Sequence, residues 1–338
     1  MKNIFGITFD DLETYFINNG DKKFRATQIY EFLYKKRVFD LDKMNNIPNT
    51  TKDNLKYDFD FSFIKIIKKQ VDTDVKKYLF ELADGNRIES VLMFHDYGTS
   101  LCVSSQVGCN MGCAFCESGR LKKVRNLETY EIVEQLLLIE RDANVKISHV
   151  VVMGIGEPFD NYDNVMNFIR IITSNKGINM GSRHITVSTC GVIPGIIRFM
   201  NDFDQVNLAI SLHAPNDMIR NTIMPISKAY VLSELMDTIK LYIEKTNRRV
   251  TFEYIMLDGI NDSKENAEEL AKLLKGMNCY VNLIPYNETE NIAFKRSKKV
   301  QILAFYDILK KNNIAVTIRR EFGGKVDAAC GQLRAKTF

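Results

Sequence analysis

Three cysteines lie close together in the sequence, at positions 109, 113 and 116 of a CxxxCxxC run. Three thiolates are one short of the shell that a structural zinc ion takes, and neither a histidine nor a fourth cysteine follows in the next turn of sequence. Three are also one short of the ligands of a [4Fe–4S] cluster, so a cluster held here keeps one iron open. Because an open iron can bind the amino and carboxylate groups of S-adenosylmethionine, Cys109, Cys113 and Cys116 predict radical chemistry on that cosubstrate.

A structural zinc site is the alternative for these cysteines, with Cys102 or Cys330 as a distant fourth ligand. The glycines Gly108, Gly112 and Gly119 favour the cluster, because glycines allow the backbone of a loop to approach a cofactor closely. We therefore expect this loop to hold a [4Fe–4S] cluster.

From residue 100 onward, short β-branched runs alternate with helical patterns, as in βα units around a parallel sheet. The predicted strands cover residues 100–105, 147–153, 183–188, 206–212, 249–257 and 279–285, with a further run at 314–320. Helices are predicted at 128–141, 161–173, 230–245, 263–275 and 297–312. Six such repeats predict an α/β fold with a partial (βα)6 barrel, whose chemistry takes place at the carboxyl ends of the strands.

Polar residues follow four of these strands, where the mouth of the barrel would lie. The backbone there can bind the amino group of S-adenosylmethionine, and the side chains can bind its carboxylate, ribose or adenine. The predicted cofactor-binding residues are Gly156, Glu157, Ser188, Ser211, Leu212, His213 and Asn287. For His213, a structural role is the alternative.

The first part of the chain has a different pattern. Apolar residues at helical spacing predict helices at 10–18 and 26–37, and strands at 63–67, 77–82 and 87–93 follow, the last two joined by the turn Asp84-Gly85-Asn86. We predict a helical and then β-rich accessory domain over residues 1–94, a partial barrel over 95–325 and a C-terminal segment over 326–338.

Composition indicates an ordinary globular protein. Of 338 residues 45% are apolar and 26% charged, and the net charge is only +4. No apolar run approaches the roughly 20 residues that a membrane helix needs, and the first residues lack the apolar core of a signal peptide. Seven cysteines without an export signal indicate metal and redox chemistry in a reducing compartment, so we expect a cytoplasmic protein without a membrane partner.

Four cysteines lie outside the CxxxCxxC run. Buried packing is the expected role of Cys190 and Cys279. Cys330 differs, since it lies between Gly324 and Gly331, where a glycine-bounded segment could carry its thiol into the barrel mouth. A thiol delivered in this way suggests covalent catalysis.

Several segments together resemble the RlmN/Cfr family of radical S-adenosylmethionine RNA methyltransferases. They occur in the family's order along nearly the whole chain: CVSSQVGCNMGCAFC, MGIGEP, HITVST, NLAISLHAPND, RRVTFEY, VNLIPYN and DAACGQL. That family methylates an amidine carbon of adenosine, carbon 2 in RlmN and carbon 8 in Cfr. The resemblance implies one [4Fe–4S] cluster per chain, two S-adenosylmethionine molecules per turnover, 23S rRNA and tRNA as substrates, and flavodoxin or ferredoxin as an electron donor.

The resemblance also implies roles for three further residues. Cys330 takes a methyl group from one S-adenosylmethionine, and Cys102 is the resolving thiol that forms a transient disulfide with it. Glu89 is the proton acceptor in the family's pattern. From its residue neighbours alone, Glu89 would be a solvent-facing strand residue.

Two details bear on which carbon is methylated. Gly156-Glu157-Pro158 followed by Asn161 has the RlmN form, whereas the glycine after Phe322 resembles Cfr. We predict carbon 2, with Cfr-like carbon 8 methylation and ribosomal antibiotic resistance as the alternative. A non-catalytic RNA-binding or redox-sensing iron–sulfur protein is a second alternative. The candidates for RNA contact in the accessory domain are Lys22, Lys23, Arg25, Lys35, Lys36 and Arg37.

Overall fold

The computed structural model of this protein describes residues 1–289 and 291–319. The predictions for Cys330, for the segment 326–338 and for the glycine-rich stretch before it lie outside these residues. In the described part, the strands are β1 (Lys2–Asn3), β2 (Phe59–Asp60), β3 (Lys65–Val71), β4 (Val75–Glu81), β5 (Arg87–His95), β6 (Gly98–Val103), β7 (Gln106–Val107), β8 (Arg125–Asn126), β9 (His149–Val152), β10 (Ile185–Thr189), β11 (Asn207–Ser211), β12 (Val250–Met256), β13 (Cys279–Pro285) and β14 (Val316–Ile318).

The α-helices of the same residues are α1 (Phe9–Asn18), α2 (Phe24–Tyr30), α3 (Asn49–Asp58), α4 (Thr129–Ala143), α5 (Tyr162–Thr173), α6 (Ile193–Asp202), α7 (Asp217–Ile223), α8 (Leu232–Thr246), α9 (Lys264–Leu273) and α10 (Lys299–Lys311). A π-helical turn over Glu31–Lys35 continues α2. The five helices predicted between the barrel strands agree with α4, α5, α8, α9 and α10 to within two residues at each end. No helix in the described ranges has the length and apolar character needed to cross a membrane.

A ten-stranded sheet organises the fold, in the order β14-β13-β12-β11-β10-β9-β6-β5-β4-β3. From β6 to β14 neighbouring strands are parallel. Helices connect these parallel strands, and the outward apolar side chains of sheet and helices share one core. The predicted α/β partial barrel is confirmed, and its parallel strands direct their carboxyl ends to one edge.

The sheet continues without a break through residue 94, the predicted border of the accessory domain. Strand β5 pairs antiparallel with β6, and β4 and β3 extend the same sheet further. The hairpin turn predicted at 84–86 joins β4 to β5, and Gly85 has the positive φ of 80° that such a turn requires. The β-rich part of the predicted accessory domain is thus an extension of the barrel sheet, and the division of the chain into domains stays a prediction.

Helix α6 is missing from the sequence prediction because its first turn contains Pro194 and Gly195, which together are typical of a turn. Proline suits the first turn of a helix, where the backbone N–H has no intrahelical acceptor. A Cβ on Gly195 would lie 2.5 Å from the Cβ of Phe159, so the glycine allows α6 to approach that side chain closely. The contact with Phe159 therefore explains why a glycine, which usually disfavours a helix, occupies position 195 in α6.

Candidate active site

The loop between β7 and β8 holds the three cysteines of the CxxxCxxC run. Backbone hydrogen bonds close it on itself: Cys109 donates its N–H to Leu121 O at 3.0 Å, and Cys116 donates to Cys113 O at 3.1 Å. The loop is tied to the barrel where Ala114 donates its N–H to Ile223 O at 2.9 Å. All three cysteines line a single cavity at the carboxyl ends of the parallel strands.

The glycines of this loop make it compact. Gly108 has a φ of 74°, and a Cβ there would lie 2.1 Å from the backbone oxygen of Lys122. A Cβ on Gly119 would lie 2.8 Å from Cys113 O. The sequence prediction that these glycines allow a cofactor to approach therefore needs a correction, since Gly108 and Gly119 allow the loop to approach its own backbone.

The thiols of the cysteine loop have raised pKa values at two of its three positions. Burial raises the pKa of the Cys109 thiol to about 11 and also raises that of Cys113, so both are neutral thiols until a metal displaces their protons. Within the described residues, no three or more His, Cys, Asp or Glu side chains are arranged to hold a metal ion. The assignment of these three cysteines to a cluster stays a prediction, which their shared loop and their shared cavity beside Met111 and Phe115 support.

Five of the seven predicted cofactor-binding residues line the same cavity as the cysteines: Gly156, Glu157, Ser188, Ser211 and His213. The other two, Leu212 and Asn287, are not part of its lining. The Leu212 side chain is fully buried in the main core, and its backbone N–H donates to Glu253 O at 3.1 Å. Their assignment to the cofactor stays a prediction.

The side chain of Glu157 supports the loops around the cavity. One carboxylate oxygen accepts a hydrogen bond from Cys190 N at 2.8 Å and the other from Phe159 N at 3.1 Å. Burial raises the pKa of this carboxyl group, and these hydrogen bonds oppose the rise. The backbone of Glu157 is also used within the protein, since its N–H donates to Gln106 Oε1 at 2.9 Å and its carbonyl oxygen accepts a hydrogen bond from Asp160 N at 3.1 Å. The assignment of the Gly156 and Glu157 backbone to the cosubstrate stays a prediction.

His213 is a buried, neutral imidazole. Its Nδ1 accepts a hydrogen bond from Ile255 N at 3.0 Å, which places the proton of the neutral ring on Nε2. Burial and the nearby Arg220 lower its pKa to about 3. The ring packs edge-on against Phe115 of the cysteine loop, with 4.8 Å between centroids. His213 therefore joins the cysteine loop to the strand ends, so the structural and the cofactor roles are compatible.

Two charged residues of this region, Arg220 and Glu253, were not predicted from the sequence. Arg220 is fully buried and donates hydrogen bonds to Cys190 O at 2.7 Å and Leu212 O at 3.3 Å, which ties the ends of β10 and β11 together. Glu253 lines the cavity, accepts a hydrogen bond from Asn282 at 2.8 Å and has a pKa raised by burial. The sequence signal for Glu253 is a lone carboxylate inside the apolar run Val250–Met256.

The predicted proton acceptor Glu89 is buried, and its interpretation as a solvent-facing residue is wrong. Its side chain is 0% exposed and forms an ion pair with Lys77 at 2.8 Å. Val91, the next residue but one on the same strand, pairs with Cys102 of β6. Because side chains alternate along strands, Glu89 and Cys102 lie on the same inner face of the sheet.

Cys190 and Cys279 are both buried, as the packing prediction requires. Cys279 belongs to the main core, whereas Cys190 packs in a smaller cluster with Phe115 and also lines the cavity. A lone cysteine can thus pack and still form part of the wall of a site.

Four of the six basic residues predicted to contact RNA have a carboxylate partner within the protein. Lys23 pairs with Glu13, Arg25 with Asp21, Lys35 with Glu31 and Arg37 with Glu140. The pairs of Lys23 and Lys35 are exposed and therefore weak, so RNA phosphates can compete for these two side chains, whereas Arg25 and Arg37 are more buried in their pairs. The contact with RNA stays a prediction.

A substitution at Gly156 tests the role of the cavity backbone. Gly156 has a φ of 112°, and a Cβ would lie 2.6 Å from the Gln106 Cβ, so we expect Gly156→Ala to cost about 3 kcal/mol of stability. It should also weaken S-adenosylmethionine binding by about tenfold or more. Thermal unfolding and equilibrium dialysis under anaerobic conditions measure the two effects.

The matched control is Gly259→Ala, at a positive φ of 68° with nothing within 4 Å of the added Cβ. This control should cost only about 1 kcal/mol and leave cosubstrate binding unchanged. Equal binding by the Gly156 variant and the wild type would contradict the placement of the cosubstrate at this backbone.

A parallel half-barrel with a three-cysteine loop at its carboxyl edge defines a radical S-adenosylmethionine protein. Family comparison agrees, because the Radical SAM superfamily model matches residues 103–274. A second model, the ribosomal RNA large subunit methyltransferase N-terminal domain, matches residues 2–60.

Relatives that match over nearly their whole length show which radical SAM family the chain belongs to. A Spiroplasma citri protein is 51% identical over 99% of this chain and 98% of its own length, and a Listeria monocytogenes protein is 54% identical over 99% and 94%. Both are named "Probable dual-specificity RNA methyltransferase RlmN". A radical SAM methyltransferase from Sphaerobacter thermophilus has a similar structure, with a TM-score of 0.93 and 41% identity over 99% of this chain and all of its own. The chain belongs to the RlmN family of radical S-adenosylmethionine RNA methyltransferases.

Proposed function

We propose that this enzyme methylates carbon 2 of an adenosine in the peptidyl-transferase region of 23S rRNA and of the adenosine 3′ of the anticodon in tRNAs. The dual-specificity name of its full-length relatives supports two RNA substrates. The observation that carries the proposal is the inner face of the sheet, where Glu89 and Cys102 lie next to the strand ends that form the cavity.

An amidine carbon is not nucleophilic, so direct transfer of a sulfonium methyl group to it has no reasonable polar path. The bound cluster would supply the electron that cleaves S-adenosylmethionine into a carbon radical. The residues to hold it are Cys109, Cys113 and Cys116, with one cluster per chain. The strand ends with Gly156, Glu157, Ser188, Ser211 and His213 would orient the cosubstrate, and Leu212 and Asn287 complete the proposed set.

Cys330 would carry the methyl group as S-methylcysteine, taken from a first S-adenosylmethionine. A second one supplies the radical, so two are used in each turnover. This radical would take a hydrogen atom from the S-methyl group to become 5′-deoxyadenosine, and the methylene radical left on Cys330 would add to carbon 2 of the adenine. The adduct would give one electron back to the cluster, and Glu89 would remove the proton from the substituted carbon. The Cys102 thiolate attacks the sulfur of Cys330 and forms a disulfide, while the carbon–sulfur bond breaks and its electron pair passes to the methylene carbon and the adenine. That carbon then takes up a proton, which completes the methyl group of the released RNA.

The position of the methyl group is the direct test. We expect RNA from cells that express the enzyme in a background without such methyltransferases to contain 2-methyladenosine, detected by nucleoside mass spectrometry of isolated 23S rRNA and tRNA. The Cys330→Ala variant should leave both RNAs unmodified. A product with 8-methyladenosine would support the Cfr-like alternative, and absence of any methylation would support a non-catalytic protein.

Two further partners belong to the proposal. The target base has to leave its stack to reach the cavity, which favours a loop or another single-stranded adenosine. The electrons would come from a small donor such as flavodoxin or ferredoxin, and the reaction would take place in the cytoplasm with the RNA. Lys22, Lys23, Arg25, Lys35, Lys36 and Arg37 are the proposed phosphate contacts.

A further inference from the structure

Both side chains of the ion pair between Lys77 and Glu89 are buried. Lys77 Nζ lies 2.8 Å from Glu89 Oε1, and the two side chains are 2% and 0% exposed. Each of the other ion pairs in residues 1–289 and 291–319 keeps at least one side chain a quarter or more exposed. The Lys77–Glu89 pair is therefore shielded from water, unlike the other ion pairs of the described residues.

The sheet register places this pair beside the reacting groups. On β4 and β5, Lys77 lies opposite Val91, and Val91 lies opposite Cys102 of β6. Side chains alternate, so Lys77, Glu89 and Cys102 share one face. Cys102 in turn packs in an apolar cluster that Met153 contacts, and Met153 lines the cavity of the cysteine loop. The face with Lys77 thus continues into the proposed active site.

A contribution to the stability of the fold does not by itself explain a buried ion pair. Taking both charges out of water costs about as much as their attraction returns, and apolar residues of similar size often stabilise such a site equally well. The neighbours Val75, Val91 and Met93 are apolar, so an apolar pair would fit there. A function that needs a charged Glu89 is a better explanation for a buried lysine.

We infer that Lys77 is a positioning residue for the reaction: it holds Glu89 as a carboxylate, aimed along the inner face of the sheet toward the adenine carbon. The inference rests on the proposed role of Glu89 as proton acceptor. A buried carboxylate without a nearby cation takes up a proton and can no longer act as a base. Lys77 does not touch the substrate in this proposal, and it acts on Glu89 through its charge in the ion pair.

The test uses Lys77→Met, which keeps the length of the side chain and removes its charge. With full-length enzyme and its RNA, we expect normal formation of 5′-deoxyadenosine and normal methylation of Cys330, because those steps do not use Glu89. Resolution of the covalent RNA–protein adduct should slow by about 10-fold to 100-fold, part of what loss of a general base costs. Timed samples on a denaturing gel measure the fraction of RNA-shifted protein.

Two further variants separate charge from structure. Lys77→Arg keeps the cation and should resolve the adduct within about threefold of wild type. Lys69→Met is the matched control: it removes a lysine from the neighbouring strand, where Lys69 pairs with Asp142 at 3.0 Å on the helical side of the sheet and is half-exposed. This control should resolve the adduct at the wild-type rate.

The pH dependence gives a readout that a purely structural pair would not move. In Lys77→Met, Glu89 should be protonated at neutral pH and regain its charge as the pH rises. The ratio of the variant rate to the wild-type rate should therefore approach one at high pH, whereas the ratio for Glu89→Gln should not change. The titratable or charged groups that share this face lie on several strands: Lys65, Lys68, Glu81, Arg87, His95 and Cys102 on β3 to β6, and His149, Glu253, Tyr280 and Arg319 further along the sheet. They are the same in every variant, so the ratio removes their contribution.

Three outcomes would overturn the inference: wild-type resolution by Lys77→Met, a rate ratio that does not depend on pH, or loss of the cluster and of deoxyadenosine formation in both Lys77→Met and Lys77→Gln. The last result would mark the pair as structural. If Glu89→Gln itself resolved the adduct at the wild-type rate, the proposed role of Glu89 would fail, whatever Lys77 does. The two hypotheses are thus tested separately.

Discussion

Protein with Cys102→Ala should accumulate as a covalent adduct with RNA, whereas protein with Cys330→Ala should not. In the proposed reaction, the methylene carbon stays bonded both to Cys330 sulfur and to the adenine until Cys102 attacks that sulfur. Without the resolving thiol, only slow hydrolysis of a carbon–sulfur bond remains. We expect turnover to fall by at least about 10³-fold, as for loss of a reacting group.

The buried position of Cys102 strengthens this expectation. Its side chain is only 7% exposed, on the inner face of β6, so other thiols in solution cannot readily take its place. The adduct appears as an RNA-shifted band on a denaturing gel of protein from growing cells, and the band disappears after ribonuclease treatment. Peptide mass spectrometry of Asp327 to Arg334 in the wild type should show the extra methyl group on Cys330.

Cys279→Ala is the control for loss of a buried thiol. Cys279 lies in the main core on β13 and does not line the cavity, so this variant should give no adduct. Unmodified protein from Cys102→Ala, or a shifted band from Cys330→Ala, would contradict the two-cysteine mechanism. A methyl group on Cys102 in place of Cys330 would exchange the two roles.

Alanine at Cys109, Cys113 or Cys116 should abolish the iron–sulfur chromophore and reduce 5′-deoxyadenosine formation to background. All three thiols are needed because a cluster that keeps one iron open has no spare protein ligand. Anaerobic purification followed by iron and sulfide analysis measures the cluster, with about four irons per chain expected for the wild type. Chromatography of a reaction with dithionite and S-adenosylmethionine measures deoxyadenosine.

Cys190→Ala provides a demanding comparison, since Cys190 lines the same cavity as these three cysteines. Alanine preserves the backbone hydrogen bonds of Cys190 to Glu157 and Arg220, and it removes only the hydrogen bond between the thiol and Glu157. This variant should keep a cluster of four irons per chain. A normal cluster in any of the three other single variants, or loss of the cluster in Cys190→Ala, would contradict the assignment of the ligands.

The sequence was sufficient to predict the elements of the barrel and the cysteine loop. Parallel strands that are buried on both sides consist of short apolar runs, and the helices between them carry apolar residues at helical spacing, so both patterns depend on local residue order. The spacing of Cys109, Cys113 and Cys116 likewise depends only on neighbours in the chain. These features are determined locally, and the structure confirms the fold that they predict.

Only the tertiary structure decided how residues distant in sequence combine. The continuation of β5 into the barrel sheet depends on pairing between strands, which the residue pattern of each strand does not specify. Arg220 becomes a link between strand ends because folding brings the backbone oxygens of Cys190 and Leu212 to it. Glu89 has the sequence pattern of an exposed strand residue. It is nevertheless buried, because the ion pair with Lys77 of the neighbouring strand lowers the free-energy cost of burying its charge. Local order determines which elements form, but the charge state and the direction of a buried side chain depend on partners that only the folded chain supplies.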